Sequence, residues 1–96
     1  MTGSKIEIQL QTLPDTAGVY QFFDAKDTIL YIGKAKNLKK RVRSYFNKEH
    51  EYGKTNVLVK KIRAIKHIVV ASETDALLLE NNLIKKYQPR YNVLLK

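Results

Sequence analysis

Two tyrosines, a lysine and a glutamate are the residues of this chain whose types and spacing best suit catalysis. Tyr20 and Tyr31 each lie in a short stretch of β-branched and aromatic residues, and Lys34 follows Tyr31 by three positions. A nearby cation favours the phenolate form of tyrosine, so Lys34 is placed to lower the pKa of either ring from its usual value of about 10. A tyrosine of that kind can serve as a general base.

A β-hairpin is the element predicted to bring the two tyrosines together. A polar loop of hairpin length separates two predicted strands, Val19–Phe23 and Thr28–Ile32. A symmetric loop would place Tyr20 directly opposite Tyr31, with both rings on one face of the sheet. Gly33 is expected to end the second strand where a Cβ would block close approach of the backbone, and Asn37 is suited to cap the helix that follows. On residue type alone, tyrosines in strands are more often packing residues than catalytic ones.

The positive charge of the chain is concentrated in one short segment. The chain has 96 residues and a net charge of +9. No acidic residue occurs from Thr28 to Lys48. Six of the cations fall within ten residues of this stretch: Lys34, Lys36, Lys39, Lys40, Arg41 and Arg43. Such a run indicates a polyanionic partner, and nucleic acid fits better than an acidic membrane surface, for which the bulky apolar stripe is missing. The predicted nucleic-acid contacts are Lys36, Lys39, Lys40, Arg43 and Tyr45; Tyr45 suits the core equally well.

Composition excludes several other classes of site. The chain has no cysteine, which rules out disulfides, thiolate nucleophiles and cysteine-based zinc sites. His50 and His67 are too few and too scattered for a metal cluster or a catalytic triad. No apolar run approaches the roughly 20 residues of a membrane span. We therefore expect one monomeric domain, ordered from about Leu13 to Lys96, cut from the N-terminal part of a longer cytoplasmic protein.

Helices are predicted around the hairpin. Leu38 to Phe46 has the apolar spacing of an amphipathic helix, with Arg41 at the edge of its buried side. Residues 1–5 read as a disordered leader and Lys5–Leu13 as a short helix or extended segment. The remaining predicted elements are a helix over Asn56–Lys66 with Leu58, Ile62 and Ile65 on one side, a strand over His67–Ala71, and a helix over Glu73–Gln88 that Ser72 caps and Pro89 stops.

Glu80 interrupts the apolar side of the last predicted helix. On a helical wheel it lies in the middle of the apolar arc, whose members are Ala76, Leu79, Leu83, Ile84 and Tyr87. A core-facing carboxylate needs a partner, because burying it unpaired costs several kcal/mol. The wheel leaves two partners open, namely an arginine such as Arg41 or a divalent metal ion.

Several motifs together resemble the GIY-YIG nuclease family. Gly18-Val19-Tyr20 and Tyr31-Ile32-Gly33 match the two triplets that name the family, with valine for isoleucine in the first. The likeness extends to the UvrC-type excinuclease domains of bacterial nucleotide excision repair through further segments: Lys34–Leu38, Arg41–Phe46, Glu73–Glu80, Asn82–Tyr87 and Pro89–Val93.

This resemblance implies a small α/β domain with a central three-stranded antiparallel sheet flanked by helices. It implies a metal-dependent endonuclease that cuts damaged double-stranded DNA on the 3′ side of the lesion, on DNA loaded with the partner protein UvrB, with one Mg²⁺ or Mn²⁺ ion held by Glu80. The implied catalytic residues are Tyr20, Tyr31, Lys34, Arg41, Glu80 and Asn92.

Roles within this set follow from neighbouring charges. Because Tyr31 is nearer Lys34 in sequence, we expect it to have the lower pKa and to activate the attacking water, while Tyr20 orients water or phosphate. Arg41 is expected to brace the phosphate with its forked guanidinium.

Three other functions fit parts of the pattern. They are a non-catalytic nucleic-acid binding module, a domain that recognises an acidic protein surface, and a GIY-YIG nuclease with a different substrate. Glu80 distinguishes the nuclease from the binding module, because a domain that only binds nucleic acid has no use for a core-facing carboxylate beside a polyanion.

Overall fold

A three-stranded antiparallel sheet organises the domain, as the sequence predicts. The computed structural model describes residues 2–47 and 54–94. The sheet has the strand order β2-β1-β3, with β1 at Gly18–Phe23, β2 at Ile29–Ala35 and β3 at Ala64–Val69. The helices of the described residues are α1 Thr2–Thr12, α2 Leu38–Asn47, α3 Lys54–Lys61, α4 Glu73–Tyr87 and α5 Arg90–Leu94. None of these helices is long and apolar enough to cross a membrane.

The hairpin register differs from the symmetric one predicted. Tyr20 pairs with Gly33, and Phe22 pairs with Tyr31, so the two tyrosines are diagonal neighbours rather than direct partners. The cause lies at the turn, where an irregularity between Phe22 and Phe23 shifts the pairing and the Asp24 carboxylate accepts hydrogen bonds from the backbone of Lys26 and Thr28. The shift is two positions, which leaves both tyrosines on the predicted common face.

Each face of the sheet packs against different helices. One face carries Tyr20 and Phe22 and contributes to the main core, with Leu38 and Val42 of α2 and Leu58 of α3. The opposite face carries Val19 and Ile32, which pack against Ala76 of α4 in a smaller cluster. Tyr20 and Tyr31 therefore share a face with α2, whereas α4 covers the other face and the outer side of β2.

The N-terminal segment is a helix rather than a leader. Helix α1 begins at Thr2, and its residues Ile6 and Leu10 are buried in the main core, so the core starts before Leu13. The Gln9 side-chain oxygen accepts a hydrogen bond from the backbone of Ile65 at 2.9 Å, which ties α1 to the outer edge of β3. Met1 and the predicted loop at 48–53 with His50 lie outside the described residues.

Helix α3 and strand β3 differ in position from the helix predicted over Asn56–Lys66 and the strand predicted over His67–Ala71. Helix α3 ends at Lys61, and β3 starts at Ala64 and ends at Val69. The backbone N–H of Arg63 already bonds to the Phe23 carbonyl at 2.8 Å, so the chain has joined the sheet there. Ile65 consequently lies in a strand, although its spacing from Ile62 suits a helix.

Helix α4 agrees with its predicted bounds. The Ser72 hydroxyl accepts a hydrogen bond from the backbone of Asp75 at 3.1 Å, and Gln88, in the left-handed conformation with φ of 45°, closes the helix before Pro89. Tyr87 was expected on the apolar side with Leu83 and Ile84, but it lies in the last turn of α4 and is 49% exposed. The short helix α5 was not predicted.

Candidate active site

Three tyrosines meet on the inner face of the hairpin. The ring centroids of Tyr20 and Tyr31 are 6.3 Å apart, and the Tyr45 ring lies 5.8 Å from the first and 6.4 Å from the second. The hydroxyls of Tyr20 and Tyr45 share a buried hydrogen bond of 2.8 Å. Tyr45 is therefore a core member of the site, because its hydroxyl is engaged and its ring is buried, rather than the phosphate contact that was also considered.

Gly33 makes room for this arrangement. Strand β2 continues through Gly33 to Ala35 instead of ending there, so the glycine is not a strand terminator. A Cβ at this position would collide with the Tyr20 ring and hydroxyl. The close approach expected of Gly33 therefore exists, and it is an approach of a side chain rather than of a backbone.

Arg41 reaches the tyrosine cluster from α2. The Asn37 side chain accepts a hydrogen bond from Lys40 N–H at 3.0 Å, which confirms the predicted helix cap and fixes the first turn. Arg41 donates to the Tyr45 hydroxyl at 3.4 Å, and its guanidinium carbon lies 5.1 Å from the centre of that ring. The side chain is otherwise exposed, which leaves most of its donors available for an anion.

Glu80 stands at the outer edge of β2 rather than in the core. One carboxylate oxygen accepts the backbone N–H of Lys34 at 3.0 Å, and the residue is only half-buried, because β2 is an edge strand and α4 runs beside it. Among the residues that the structure describes, Glu80 makes no ion pair with Arg41 and its other oxygen accepts no hydrogen bond. The structure thus does not bear out the arginine partner.

This carboxylate fits a hard cation that keeps most of its water. Within residues 2–47 and 54–94, no cluster of three or more His, Cys, Asp or Glu side chains is present. Mg²⁺ is commonly held by one or two carboxylates with several retained waters. Glu80, with one oxygen anchored on the backbone and the other available, matches that requirement.

Asn92 clamps the same strand from α5. Its side-chain oxygen accepts the N–H of Ile32 at 2.8 Å, and its side-chain nitrogen donates to the Ile32 carbonyl, also at 2.8 Å. Both ends of the amide are thereby used on the backbone of β2. Asn92 is placed to position the strand that carries Tyr31 and Lys34.

The tyrosine hydroxyls are harder to ionise than the sequence suggests. Burial, helped by Tyr45 and by the Glu80 carboxylate, raises the pKa of Tyr31 to about 12, and the Arg41 guanidinium opposes this. Burial raises the pKa of Tyr20 further still. Tyr31 does have the lower pKa of the two, but that pKa is raised rather than lowered as expected, because burial outweighs the neighbouring cations.

An open groove of about 660 Å³ adjoins the site. It lies between the end of β2, one side of α2 and the first turns of α4, and its basic lining residues are Lys34, Lys36, Lys40 and Arg41. Lys39 and Arg43, which were predicted to bind nucleic acid with Lys36 and Lys40, do not line it because they occupy another side of α2. Lys36 also pairs with Glu73 across the groove at 3.8 Å, with both side chains well exposed.

Comparison with known proteins agrees with this geometry. The profile of the UvrC-like GIY-YIG domain matches residues 16–93. UvrABC system protein C of Flavobacterium psychrophilum is 71% identical over all 96 residues, and that of Porphyromonas gingivalis is 62% identical over the same length. The chain spans about 16% of the length of each of these two relatives.

A solved structure matches as well. The GIY-YIG N-terminal endonuclease domain of UvrC from Thermotoga maritima, bound to magnesium as its catalytic divalent cation, has a TM-score of 0.80 and 42% identity, covering 91% of this chain and 94% of that one. Point mutants of that domain with a tyrosine changed to phenylalanine, or an asparagine to alanine, are also bound to the cation. The chain belongs to the UvrC-like GIY-YIG domain family, and it is an endonuclease domain of that family.

Proposed function

We propose that this chain cuts DNA on the 3′ side of a lesion during bacterial nucleotide excision repair, in the cytoplasm, on DNA loaded with UvrB. The bacterial relatives are UvrABC system proteins, and their length beyond this segment is available for recognition of damage and partners. The observation that carries the proposal is the available Glu80 oxygen: the other oxygen is held by the N–H of Lys34, which lines the basic groove, and the carboxylate is within electrostatic reach of Tyr31.

Glu80 is the residue that would hold the ion, one Mg²⁺ or Mn²⁺. When bound there, a divalent cation supplies a Lewis acid that stabilises the charge developing on the phosphate oxygens. In the Thermotoga maritima domain, a tyrosine or an asparagine can be changed without loss of the cation, which favours a carboxylate as the anchor. The Lys34 N–H keeps the Glu80 carboxylate oriented, because it binds one of the two oxygens.

Tyr31 is the better general base. Tyr20 is 1% exposed and its hydroxyl is hydrogen-bonded to Tyr45, so an attacking water has little access to it. Tyr31 is only partly buried and lies within electrostatic reach of Glu80 and Arg41. Neutralising the Glu80 carboxylate would remove one of the causes that raise the pKa of Tyr31, and Arg41 already lowers it.

The cations are assigned to binding different phosphates of the DNA. The Arg41 guanidinium is available to hold the non-bridging oxygens of the phosphate that is cut. Within the described residues its side chain makes one hydrogen bond to another side chain, the 3.4 Å contact with the Tyr45 hydroxyl. Lys34, Lys36 and Lys40 line the groove and would hold neighbouring phosphates.

The test uses a full-length protein into which this domain is grafted. The chain replaces the matching segment of the Flavobacterium psychrophilum protein, and 3′ incision of a lesion-bearing duplex is measured with UvrA, UvrB and Mg²⁺. Glu80→Gln should abolish incision while DNA binding and thermal stability persist, because glutamine still accepts the Lys34 N–H. Asp75→Asn, an exposed carboxylate on the same helix, is the matched control and should incise normally.

Two outcomes would contradict this assignment. A folded Glu80→Gln protein that incises at the wild-type rate would remove Glu80 from the chemistry. A large loss of thermal stability in Glu80→Gln would instead assign the carboxylate a structural role.

A further inference from the structure

A phenylalanine lies at the centre of the tyrosine cluster. Phe22 is fully buried, and its ring centroid lies 5.1 Å from that of Tyr45, 5.2 Å from that of Tyr20 and 6.3 Å from that of Tyr31. Phe22 has no group that could bind an ion or move a proton. Any influence it has on the chemistry must therefore act through the positions of the three tyrosine rings.

The angles between the rings set Tyr31 apart. Phe22 and Tyr31 are direct partners across β1 and β2, and their rings are stacked, with 27° between the planes. The two α2 rings that contact Phe22, Tyr45 and Phe46, meet it at nearly right angles, 83° and 81°. Phe22 thus links the helix that carries Arg41 to the strand that carries Tyr31.

Tyr31 depends on packing for its orientation more than the other two tyrosines do. The hydroxyls of Tyr20 and Tyr45 hold each other through a bond of 2.8 Å. Among the described residues, the Tyr31 hydroxyl makes no comparably short hydrogen bond, and Tyr31 is half-buried on an edge strand. Stacking against a flat, buried ring restricts the plane of the Tyr31 ring, because aromatic pairs favour a small set of geometries.

We propose that Phe22 is a positioning residue for the reaction, holding the Tyr31 ring in the orientation in which its hydroxyl reaches the attacking water. The proposal rests on the proposed function, since it takes Tyr31 as the general base. A leucine at position 22 would fill much of the same space, but it has no flat face on which the Tyr31 ring could stack. Displacing a reacting group by about 1 Å can cost about 10²-fold in rate.

The test is a double-mutant cycle in the grafted full-length protein, read by single-turnover 3′ incision. Phe22→Leu should reduce the rate about 10-fold or more, while the DNA concentration that gives half the maximal rate stays unchanged, because Phe22 is remote from solvent. In the Tyr31→Phe background the same change should cost little more, because the hydroxyl that it misplaces is already absent. Phe46→Leu is the matched control and should incise at close to the wild-type rate, since within the described residues the Phe46 ring contacts Phe22 and none of the three tyrosines.

Thermal unfolding of this chain's variants fixes an assay temperature at which each is folded. If Phe22→Leu does not fold, Phe22→Met replaces it, because methionine fills irregular core space but also lacks a flat ring. Three results would overturn the positioning role: a wild-type rate in the folded variant, an equal loss in Phe46→Leu, or a full further loss in the Tyr31→Phe background. Failure of the proposed base is seen separately, because Tyr31→Phe alone would then incise at the wild-type rate and the positioning role would fall with it.

Discussion

A single methyl group at Gly33 should disturb the site from within the sheet. In Gly33→Ala the new Cβ would collide with the Tyr20 ring and hydroxyl. Tyr20 is 1% exposed and packed against Phe22 and Tyr45, so it has no free space to enter. Either β2 moves, and Tyr31 moves with it, or the hydroxyl bond between Tyr20 and Tyr45 is lost.

The cost can be worked out from these contacts. Overpacking a core costs about 1–3 kcal/mol, and losing a buried hydrogen bond adds about 0.5–1.5 kcal/mol. The methyl group also restricts the unfolded chain, which returns about 0.4–1 kcal/mol. The steric and hydrogen-bond terms are larger than this gain, so the free energy of unfolding falls by about 2 kcal/mol. This lowers Tm by roughly 8–16 °C for a domain of this size.

Thermal unfolding followed by circular dichroism measures this loss, and a double variant tests its cause. Tyr20→Leu removes the ring that the methyl group would strike, so Gly33→Ala should cost much less in that background than in the wild type. Strictly additive losses, or a Gly33→Ala protein that melts with the wild type, would refute the packing argument.

Further predictions concern the clamp, the base and the response to alkali. Asn92→Ala removes two hydrogen bonds to Ile32 and should lower the free energy of unfolding by about 1–3 kcal/mol in urea titrations; unchanged stability would contradict the clamp. Tyr31→Phe should reduce single-turnover 3′ incision by the grafted protein about 10²-fold or more, with Tyr20→Phe milder, and the reverse order would exchange their roles. The pKa of Tyr31 is raised to about 12, so the folded state retains a proton that the unfolded state loses above about pH 10. Stability is therefore full below pH 10 and should fall as pH rises towards 12, less steeply in Tyr31→Phe, as measured by urea unfolding at each pH.

The prediction that Tyr20 and Tyr31 share a face of the sheet does not depend on the exact register. The side-chain period of a strand is two residues, so an error of two positions in register changes the partners of Tyr20 and Tyr31 but not their side of the sheet. The register itself depends on the Asp24 carboxylate and on the irregularity after Phe22, which no periodicity reveals.

Other features depend on contacts between distant parts of the chain. The wheel placed Glu80 in the apolar arc of its helix, facing the core, but only the folded structure shows that it meets the outer edge of β2. The Asn92 clamp joins residues 60 positions apart. Ile62 and Ile65 have helical spacing and are both buried, yet Ile62 follows the end of α3 and Ile65 lies in β3, because a strand can bury Ile65 as well as a helix can. The role of Tyr45 had one local signal, its position four residues after Arg41.

The side-chain caps on the outer strands also bear on aggregation. An open strand edge is a template on which another chain can add a strand. In β2, the outward backbone groups of Ile32 and Lys34 are occupied by Asn92 and Glu80, and in β3 that of Ile65 is occupied by Gln9. Asn92 and Glu80, which hold β2 at the candidate site, thus also keep that edge from recruiting neighbouring molecules, so a change that removes either side chain should cost solubility as well as activity.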